Sequence, residues 1–292
     1  MQPGENEGDD LRRLQLAQLQ IAVEVTDLCD RHDIRYALLG GSALGARRHR
    51  GFIPWDDDMD MGMLREDFER FLDVARTELS DSLYVQYWLD DPHMGATFAK
   101  VRRNNTVMLE EGSKDTGGHK GISIDIFPFD NVPDGIVALP WKLELRFWKR
   151  LLRHQMDYTI KKLPLPLYLA DLPARLAARI VSPGLAKRRM HQLMTRFRHR
   201  LSDQVLAVGG AYNFKKDMLK VSWLSDVTRQ PFEDRHLFCP TAIDDYLAHM
   251  YGDFMALPPV EQRSAKHRIR QLEFGDGRAG EQGAGESTAG EA

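Results

Sequence analysis

The stretch that most constrains the fold is residues 40–63, GGSALGARRHRGFIPWDDDMDMGM. An apolar run over 36–39 precedes it and predicts a buried strand that ends at two glycines and a serine. Glycines at a strand end let backbone N–H groups approach an anion closely, as phosphate-binding turns require. Some fifteen positions later, four carboxylates occupy five positions: Asp56, Asp57, Asp58 and Asp60. The stretch therefore predicts a phosphate site beside a cluster of acids.

Two of these acids are predicted to bind a metal ion. If residues 58–63 are extended, Asp58 and Asp60 point to one face and the methionines between them point to the other. Two ionised carboxylates that close together repel each other, so the pair requires a cation. Mg²⁺ prefers carboxylate oxygens together with substrate phosphate oxygens. We expect Asp58 and Asp60 to hold Mg²⁺ or Mn²⁺.

A third acid lies in a second apolar segment. Residues 122–127 predict a buried strand, and its one acid, Asp125, stands between two isoleucines. A carboxylate at such a position is costly without a partner. The favoured interpretation is a third metal ligand, and the alternative is a buried acid hydrogen-bonded to a turn. Asp56 and Asp57 are interpreted as supporting or surface groups.

A calcium-binding loop is the competing explanation for the acidic cluster. Asp56, Asp58 and Asp60 fall at positions 1, 3 and 5 of the EF-hand template. That template also needs glycine at position 6 and usually glutamate at position 12. This sequence has Met61 and Asp67 there, and one flank is strand-like, so the calcium loop is rejected.

Basic residues near the predicted site are candidates for phosphate or substrate binding. They are Arg48, His49, Lys100, Arg102 and His267. Lys100 and Arg102 share one face of a predicted strand, 97–103. Two cations on one face are unfavourable unless they are solvated or matched to an anion. For each residue taken alone, an ordinary solvated surface position is the alternative.

The remaining pattern predicts a mixed fold of the α+β (mixed α/β) class. The hydrophobic share of 42% and the charged share of 28% are ordinary for a globular chain. Apolar residues at helical spacing predict helices over 11–32, 65–79 and 240–250. Alternation and apolar runs predict strands over 34–39, 83–88, 97–103 and 106–110.

Residues 136–204 are predicted to form a basic helical insert. Within 142–200 there are fifteen Lys and Arg and three acids, a net charge of +12, so the rest of the chain carries about −15. Aromatic and leucine side chains are interspersed with these cations. Basic helices with aromatic faces lie on anionic membranes or bind polyanions. The alternative is a solvated insert whose apolar stripe packs on the core.

We expect one domain with a core of residues 11–135 and 205–272 and with disordered tails at 1–10 and 273–292. Cys29 and Cys239 show no metal-ligand spacing and no disulfide framework, which favours a reducing compartment. No apolar run reaches the roughly 18 residues of a membrane span, and no signal-peptide pattern is present. These features predict a cytoplasmic protein.

The motifs resemble the signature of the LicD family, which also includes the fukutin-related proteins. The similarity continues through Lys100-Val101-Arg102, residues 124–130 with Val132-Pro133, and Phe232-Glu233. It ends with Tyr251-Gly252-Asp253, Leu257-Pro258-Pro259, Arg263 and His267. The Pro-Trp-Asp-Asp-Asp-x-Asp core is specific, whereas a single Asp-x-Asp would not be. One departure is the Gly-Gly-Ser turn, where many members have Gly-Thr at the last two positions; the hydroxyl is retained.

The resemblance implies a nucleotidyltransferase-like mixed sheet flanked by helices. It implies transfer of phosphocholine or a polyol phosphate from a CDP-activated donor to a sugar hydroxyl, with Mg²⁺. Gly41 and Ser42 would hold donor phosphate, Asp58 and Asp60 the metal, and Asp125 the metal or the acceptor hydroxyl. The acceptor would be a glycan or glycolipid, such as a lipopolysaccharide or teichoic-type precursor, on the inner face of the cytoplasmic membrane. The basic insert could then lie on that anionic surface.

Two other functions remain open. A true nucleotidyltransferase would use nearly the same metal site but would transfer NMP and release pyrophosphate. A non-catalytic module that binds membrane or glycan is disfavoured, because it would not need three retained acids. No nucleic-acid partner is expected.

Overall fold

The computed structural model describes residues 5–111, 117–156, 165–210, 214–265 and 267–275. The helices are α1 (Glu5–Arg31), α2 (Gly40–His49), α3 (Arg65–Glu78), α4 (Ala138–Gln155), α5 (Leu165–Ala177), α6 (Pro183–Thr195), α7 (Phe214–Asp217), α8 (Ser222–Ser225) and α9 (Ile243–Tyr251). The strands are β1 (Ala37–Leu38), β2 (Asp60–Leu64), β3 (Leu83–Tyr87), β4 (Ala99–Arg103), β5 (Val107–Glu110), β6 (Ser123–Asn131), β7 (Gln204–Leu206), β8 (Met218–Lys220), β9 (Val227–Phe232), β10 (Arg235–Pro240) and β11 (Ile269–Glu273). Short 3₁₀ turns cover Gly135–Val137 and Val260–Gln262.

The central sheet has the strand order β1-β2-β6-β4-β3. Strands β2 and β6 are parallel, and the other neighbours on this path are antiparallel. The end of β6 also pairs with β7, which pairs with β8. Two antiparallel ribbons, β9 with β10 and β5 with β11, stand outside this sheet. This arrangement confirms the predicted mixed α and β class.

Helix α1 contributes the apolar face that the sequence predicts. Leu14, Ile21, Val25 and Leu28 are fully or almost fully buried against the sheet side of the core. Their spacing of three, four or seven residues places them on one stripe of the helix. Burial of that stripe, rather than helix propensity alone, stabilises this long helix.

A buried ion pair joins α3 to the last part of β6. Arg65 donates from Nε and Nη2 to the two carboxylate oxygens of Asp130, at 2.8 and 2.6 Å. Both side chains are almost completely buried. The bidentate geometry compensates for the loss of solvent around the two charges, and the pair links the first residue of α3 to β6.

Both predicted tails are shorter in the structure than expected. Residues 5–10 belong to α1, where Asp10 lies 3.7 Å from Arg13 one turn later. At the other end, Glu273 belongs to β11, and the Arg13 guanidinium lies 4.0 Å from the ring centre of Phe274. Parts of the two predicted tails therefore belong to a helix and to a strand. The predicted disorder of 1–4 and 276–292 lies outside the described residues.

The predicted elements around the acidic motif also shift at their ends. The strand expected over 34–39 is reduced to Ala37–Leu38, and β2 begins at Asp60 rather than at residue 58. No separate turn follows the first strand, because α2 begins at Gly40 itself. The glycine motif is therefore the first turn of a helix, whose unpaired N–H groups attract anions.

The basic section forms a unit of three helices, α4, α5 and α6. Trp141, Leu145, Leu151 and Leu152 of α4 are buried in it. The Trp141 indole donates to the carbonyl of Leu193 at 3.0 Å and so ties α4 to α6. In the described part of the chain, no helix is both long enough and apolar enough to cross a bilayer.

Candidate functional site

The centre of the candidate site is a row of polar side chains across four neighbouring strands. Asp60 of β2 stands in register with Asp125 of β6, Asp125 with Lys100 of β4, and Lys100 with Gln86 of β3. Residues directly opposite one another project from the same face of a sheet. The pairing of β2 with β6 therefore brings together two acids that are 65 positions apart in the sequence.

Asp125 has a partner that local sequence spacing does not reveal. The Lys100 ammonium lies 2.5 Å from Asp125 Oδ1, and both side chains are only about one-fifth exposed. The ion pair explains how a carboxylate is tolerated between two buried isoleucines. The cation also offsets part of the negative charge that Asp60 and Asp125 would otherwise concentrate at one place.

Arg102 lies on the same face of β4 as Lys100 and is held by a chain of hydrogen bonds. It donates from Nε to Gln86 Oε1 at 2.5 Å and from Nη1 to the Gly121 carbonyl at 2.7 Å. Gln86 in turn donates to Asp91 Oδ2 at 2.6 Å. Burial lowers the pKa of the Arg102 guanidinium, and nearby carboxylates oppose that effect. These linked hydrogen bonds fix the Arg102 guanidinium in a partly desolvated position.

The first turn of α2 forms another wall of the site. Gly40 has φ of 51°, a conformation that favours glycine, and its N–H donates to the Tyr246 hydroxyl at 2.8 Å. At Gly41, an added Cβ would lie 2.3 Å from Asp56 Oδ2. A carboxylate therefore sits against the start of the helix, where the helix dipole and N–H groups favour negative charge.

Ser42 has a structural role in this arrangement. Its buried hydroxyl accepts a hydrogen bond from the Asp60 N–H at 3.0 Å and so fixes α2 to the start of β2. The side chain does not line the central cavity in the described structure. Its predicted contact with donor phosphate stays a prediction, and this placement favours a positioning role.

Asp57 and His267 form a second pair beside the acidic strand. Asp57 is fully buried and accepts from the His267 N–H at 2.9 Å, with His267 Nδ1 3.2 Å from its other oxygen. The hydrogen bond to Asp57 raises the pKa of His267, while burial opposes the rise. The expectation that Asp57 is a supporting or surface group is corrected on one point, because this carboxylate is not on the surface.

Asp57, Asp58 and His267 could hold a metal ion. One ligand atom from each lies within 4.8 Å of the others, and no other such group of three or more is found among the described His, Cys, Asp and Glu side chains. Asp58 also belongs to the predicted set with Asp60 and Asp125, but the ligand atoms of these three carboxylates do not all lie within that distance of one another. The carboxylate oxygens suit Mg²⁺ or Mn²⁺, whereas the imidazole nitrogen suits softer transition metals. The ligand atoms of these residues therefore suit a divalent cation. Asp58 belongs both to the group with Asp57 and His267 and to the predicted set with Asp60 and Asp125.

These groups surround a cavity of about 560 Å³. Its polar lining contains most of the predicted site residues: Gly41, Asp58, Asp60, Lys100, Arg102, Asp125 and His267. Its apolar lining includes Met94, Phe98, Phe127, Phe129 and Met156. A mostly apolar pocket with a few convergent charged groups is the usual form of a small-molecule site.

Arg48 and His49 are not brought to this cavity. They lie at the last turn of α2, and a helix rises about 1.5 Å per residue, so Gly40 is roughly 12 Å away along its axis. Arg48 Nη1 donates to the carbonyls of Phe254 and Ala256 at 2.8 and 3.1 Å. Burial lowers the pKa of both side chains. Their role in substrate binding stays a prediction that this placement does not favour.

Two glutamines of α1 support the acidic loop and were missed in the sequence. Gln15 donates to the Asp56 carbonyl at 2.9 Å, and Gln18 donates to the Asp57 carbonyl at 2.9 Å. Both side chains are buried. The sequence did contain a signal for these contacts: two amides, three positions apart, lie on the apolar face of an amphipathic helix. Buried amides require hydrogen-bond partners, so their position predicts contacts of this kind.

Comparison with known proteins is consistent with this site. A family model described as LicD/FKTN/FKRP, nucleotidyltransferase domain, matches residues 33–162. That range includes α2, β2, β3, β4 and β6, and hence every residue of the polar row. The chain is 29% identical over 276 residues to the lipopolysaccharide cholinephosphotransferase LicD of Haemophilus influenzae, covering 88% of this chain and 96% of that relative.

Shorter similarities are also found. The human and mouse ribitol 5-phosphate transferase FKRP is 59% identical over 34 residues, which cover 12% of this chain and 7% of that protein. An uncharacterized protein of Rickettsia typhi is 37% identical over 59 residues, or 20% of this chain and 19% of its own length.

Proposed function

Because the chain carries a domain of the LicD family, we propose that it transfers phosphocholine or a polyol phosphate from a CDP-activated donor to a sugar hydroxyl. It is an enzyme, a phosphotransferase of the LicD type. The observation that carries the proposal is the row of Asp60, Asp125 and Lys100 on one face of the sheet, at the wall of a cavity. Such a row offers both carboxylates and a cation to a phosphorylated substrate.

A divalent metal ion, Mg²⁺ or Mn²⁺, is part of the proposal. Asp58 would hold it, together with Asp60 and Asp125 or with Asp57 and His267. Bound there, the ion would neutralise negative charge on the donor diphosphate. The carboxylate-rich donor set supports a hard cation.

The groups of the protein would do three things. At the first turn of α2, the backbone at Gly41, which lines the cavity, would bind donor phosphate. Lys100 and Arg102 would stabilise the negative charge that develops on the leaving CMP as the P–O bond to it breaks. Asp125 would accept the proton of the sugar hydroxyl as that oxygen forms its bond to phosphorus. In phosphoryl transfer, positioning and charge stabilisation provide most of the acceleration.

Donor screening tests this function. The purified chain is incubated with Mg²⁺, a sugar acceptor and CDP-choline, CDP-ribitol or CDP-glycerol, and the released nucleotide is measured. We expect CMP with at least one donor and loss of that activity in Asp58→Asn. Pyrophosphate release from a nucleoside triphosphate, with no CMP from any donor, would instead support NMP transfer. Absence of both products would leave the binding-module function.

The acceptor is proposed to be a cell-surface glycan or its lipopolysaccharide or teichoic-type precursor. The name of the Haemophilus relative supports a lipopolysaccharide acceptor. A lipid-linked acceptor would place the enzyme in the cytoplasm, peripherally on the inner face of the cytoplasmic membrane. Transfer to isolated glycan and to lipid-linked glycan would be compared directly.

A further inference from the structure

Exposed large apolar side chains are concentrated in the basic three-helix unit. Among the described residues, fifteen such side chains are exposed, and ten of them lie between residues 136 and 201. They are Ile136, Val137, Leu139, Leu143, Tyr168, Leu169, Leu176, Ile180, Leu185 and Leu201. Single exposed apolar residues are normal on a protein surface, but a concentration of them in one region marks an interaction site.

Helix α5 and the turn after it organise part of this set into a stripe. Leu169, Leu176 and Ile180 are 57%, 51% and 86% exposed. Leu169 and Leu176 are seven residues apart and so lie along one line of α5, and Ile180 follows in the turn after the helix. Arg175 and Arg179 are exposed and lie to one side of that line at helical spacing. An apolar stripe flanked by arginines is typical of a helix that lies in a membrane interface.

The acids that could neutralise these cations are already paired. Glu144 lies 2.6 Å from Arg189, and Asp171 lies 2.7 Å from His154 and 3.8 Å from Arg150. The third acid of this section, Asp157, lies outside the described residues. Arg175 and Arg179 are exposed and form no ion pair with a described acid, and the Arg175 guanidinium lies 4.9 Å from the centre of the Tyr168 ring. Their charges are therefore free to meet an anionic surface beside the stripe.

We infer that the exposed face of α5, with the turn after it, binds an anionic lipid bilayer by inserting its apolar stripe into one leaflet. Its 13 residues rise about 20 Å, short of the roughly 30 Å of a bilayer core, so the helix would lie along the surface. Lysine and arginine stems bury along the acyl boundary while their charges stay with the lipid headgroups. A second copy of the chain is a poorer occupant, because it would bring like charges together.

This inference rests on the proposed function and adds to it the surface through which the enzyme would bind the membrane. The binding test below does not require catalytic activity. The full chain is sedimented with vesicles of phosphatidylglycerol and phosphatidylcholine, and with vesicles of phosphatidylcholine alone. We expect binding to the anionic vesicles that weakens as salt rises. The triple variant Leu169→Asn, Leu176→Asn and Ile180→Asn should lower binding roughly tenfold or more, because three apolar side chains leave the acyl region.

Matched controls separate the surface from general effects. Leu16→Asn changes a leucine that is 41% exposed on α1, and it should bind vesicles like the wild type. Arg175→Gln with Arg179→Gln should weaken binding at low salt, whereas Arg235→Gln, an exposed arginine of β10, should not. Thermal unfolding confirms that each variant is folded before it is compared.

Two results would overturn the inference. The first is wild-type binding by the folded triple variant. The second combines two observations. The wild type is a dimer by light scattering whereas the triple variant is a monomer, and the wild type does not bind anionic vesicles. CMP release with a soluble acceptor, measured on the same samples, keeps failure of this surface distinct from failure of the proposed activity.

Discussion

At the scale of single residues, the ion pair of Lys100 with Asp125 has both a structural and a catalytic consequence. Substitution of Lys100 by Met leaves a carboxylate that is only 18% exposed without its cation. We predict a loss of about 1–3 kcal/mol in the free energy of unfolding, together with slower CMP release. Urea denaturation and initial rates measure the two effects.

Arg268→Met is the control for this substitution, because Arg268 is 85% exposed and lies 3.8 Å from Glu111 at the surface. Exposed pairs contribute little to stability. A Lys100→Met protein as stable and as active as this control would contradict the assignment of Lys100 to the site.

His191 of α6 is expected to give the stability of the protein a pH dependence. Burial lowers the pKa of His191 from its ordinary value of 6.5, and the nearby Arg65 cation lowers it further. Its Nδ1 is buried without a hydrogen-bond partner in the described structure. Below the ordinary pKa, the unfolded chain binds a proton that the folded chain does not. Stability therefore falls as pH decreases from 6.5 toward the lowered folded pKa.

We predict that His191→Phe reduces this pH dependence. The measurement is the free energy of unfolding in urea at one pH above 6.5 and one below it. His236→Gln, at an exposed position on β10, serves as the comparison. An unchanged difference between the two pH values in His191→Phe would show that other groups cause the dependence.

At the scale of elements, Lys187 connects α6 to a loop of the cavity. Its ammonium is buried and donates to the carbonyls of Trp88, Asp91 and Met94 at 2.7, 2.6 and 2.8 Å. The same loop supplies Met94 to the cavity lining and the Asp91 carboxylate to Gln86, which holds Arg102. The basic section therefore supports the wall of the site.

Lys187→Met should destabilise the protein on the order of 3 kcal/mol or more, since each buried acceptor left without a partner costs about 1–3 kcal/mol. It should also raise KM for the donor, because the loop that holds Arg102 through Gln86 is loosened. Arg188→Met changes the next, exposed residue of the same helix and should have neither effect. Equal KM values in the two variants would limit Lys187 to a role in stability.

At the scale of the whole molecule, metal binding should appear as a rise in Tm. A ligand that binds only the folded state stabilises it, by about 2.7 kcal/mol at one hundred times its Kd. Asp58→Asn should remove most of the rise that Mg²⁺ or Mn²⁺ causes. Asp60→Asn and His267→Gln distinguish the two candidate ligand sets, because each belongs to one of them. Equal rises in all four proteins would contradict a metal site at Asp58.

The sequence was sufficient for the fold class, the family resemblance and several elements, because helical periodicity in α1 and the acidic motif are local signals. It could not supply the pairing of β2 with β6, which decides that Asp60 faces Asp125. For the same reason the Lys100 partner of Asp125 and the His267 partner of Asp57 were missed. Side chains that meet across strands or from distant loops leave no mark in local spacing.

The triple hydrogen bond of Lys187 has a consequence for engineering. A basic section that merely decorated the core could be exchanged between relatives as a cassette, to redirect an enzyme to another membrane or acceptor. In this protein, Lys187 of the basic section binds three carbonyls of a loop that lines the cavity. A functional chimera must therefore take Lys187 and the loop that it binds from the same parent protein.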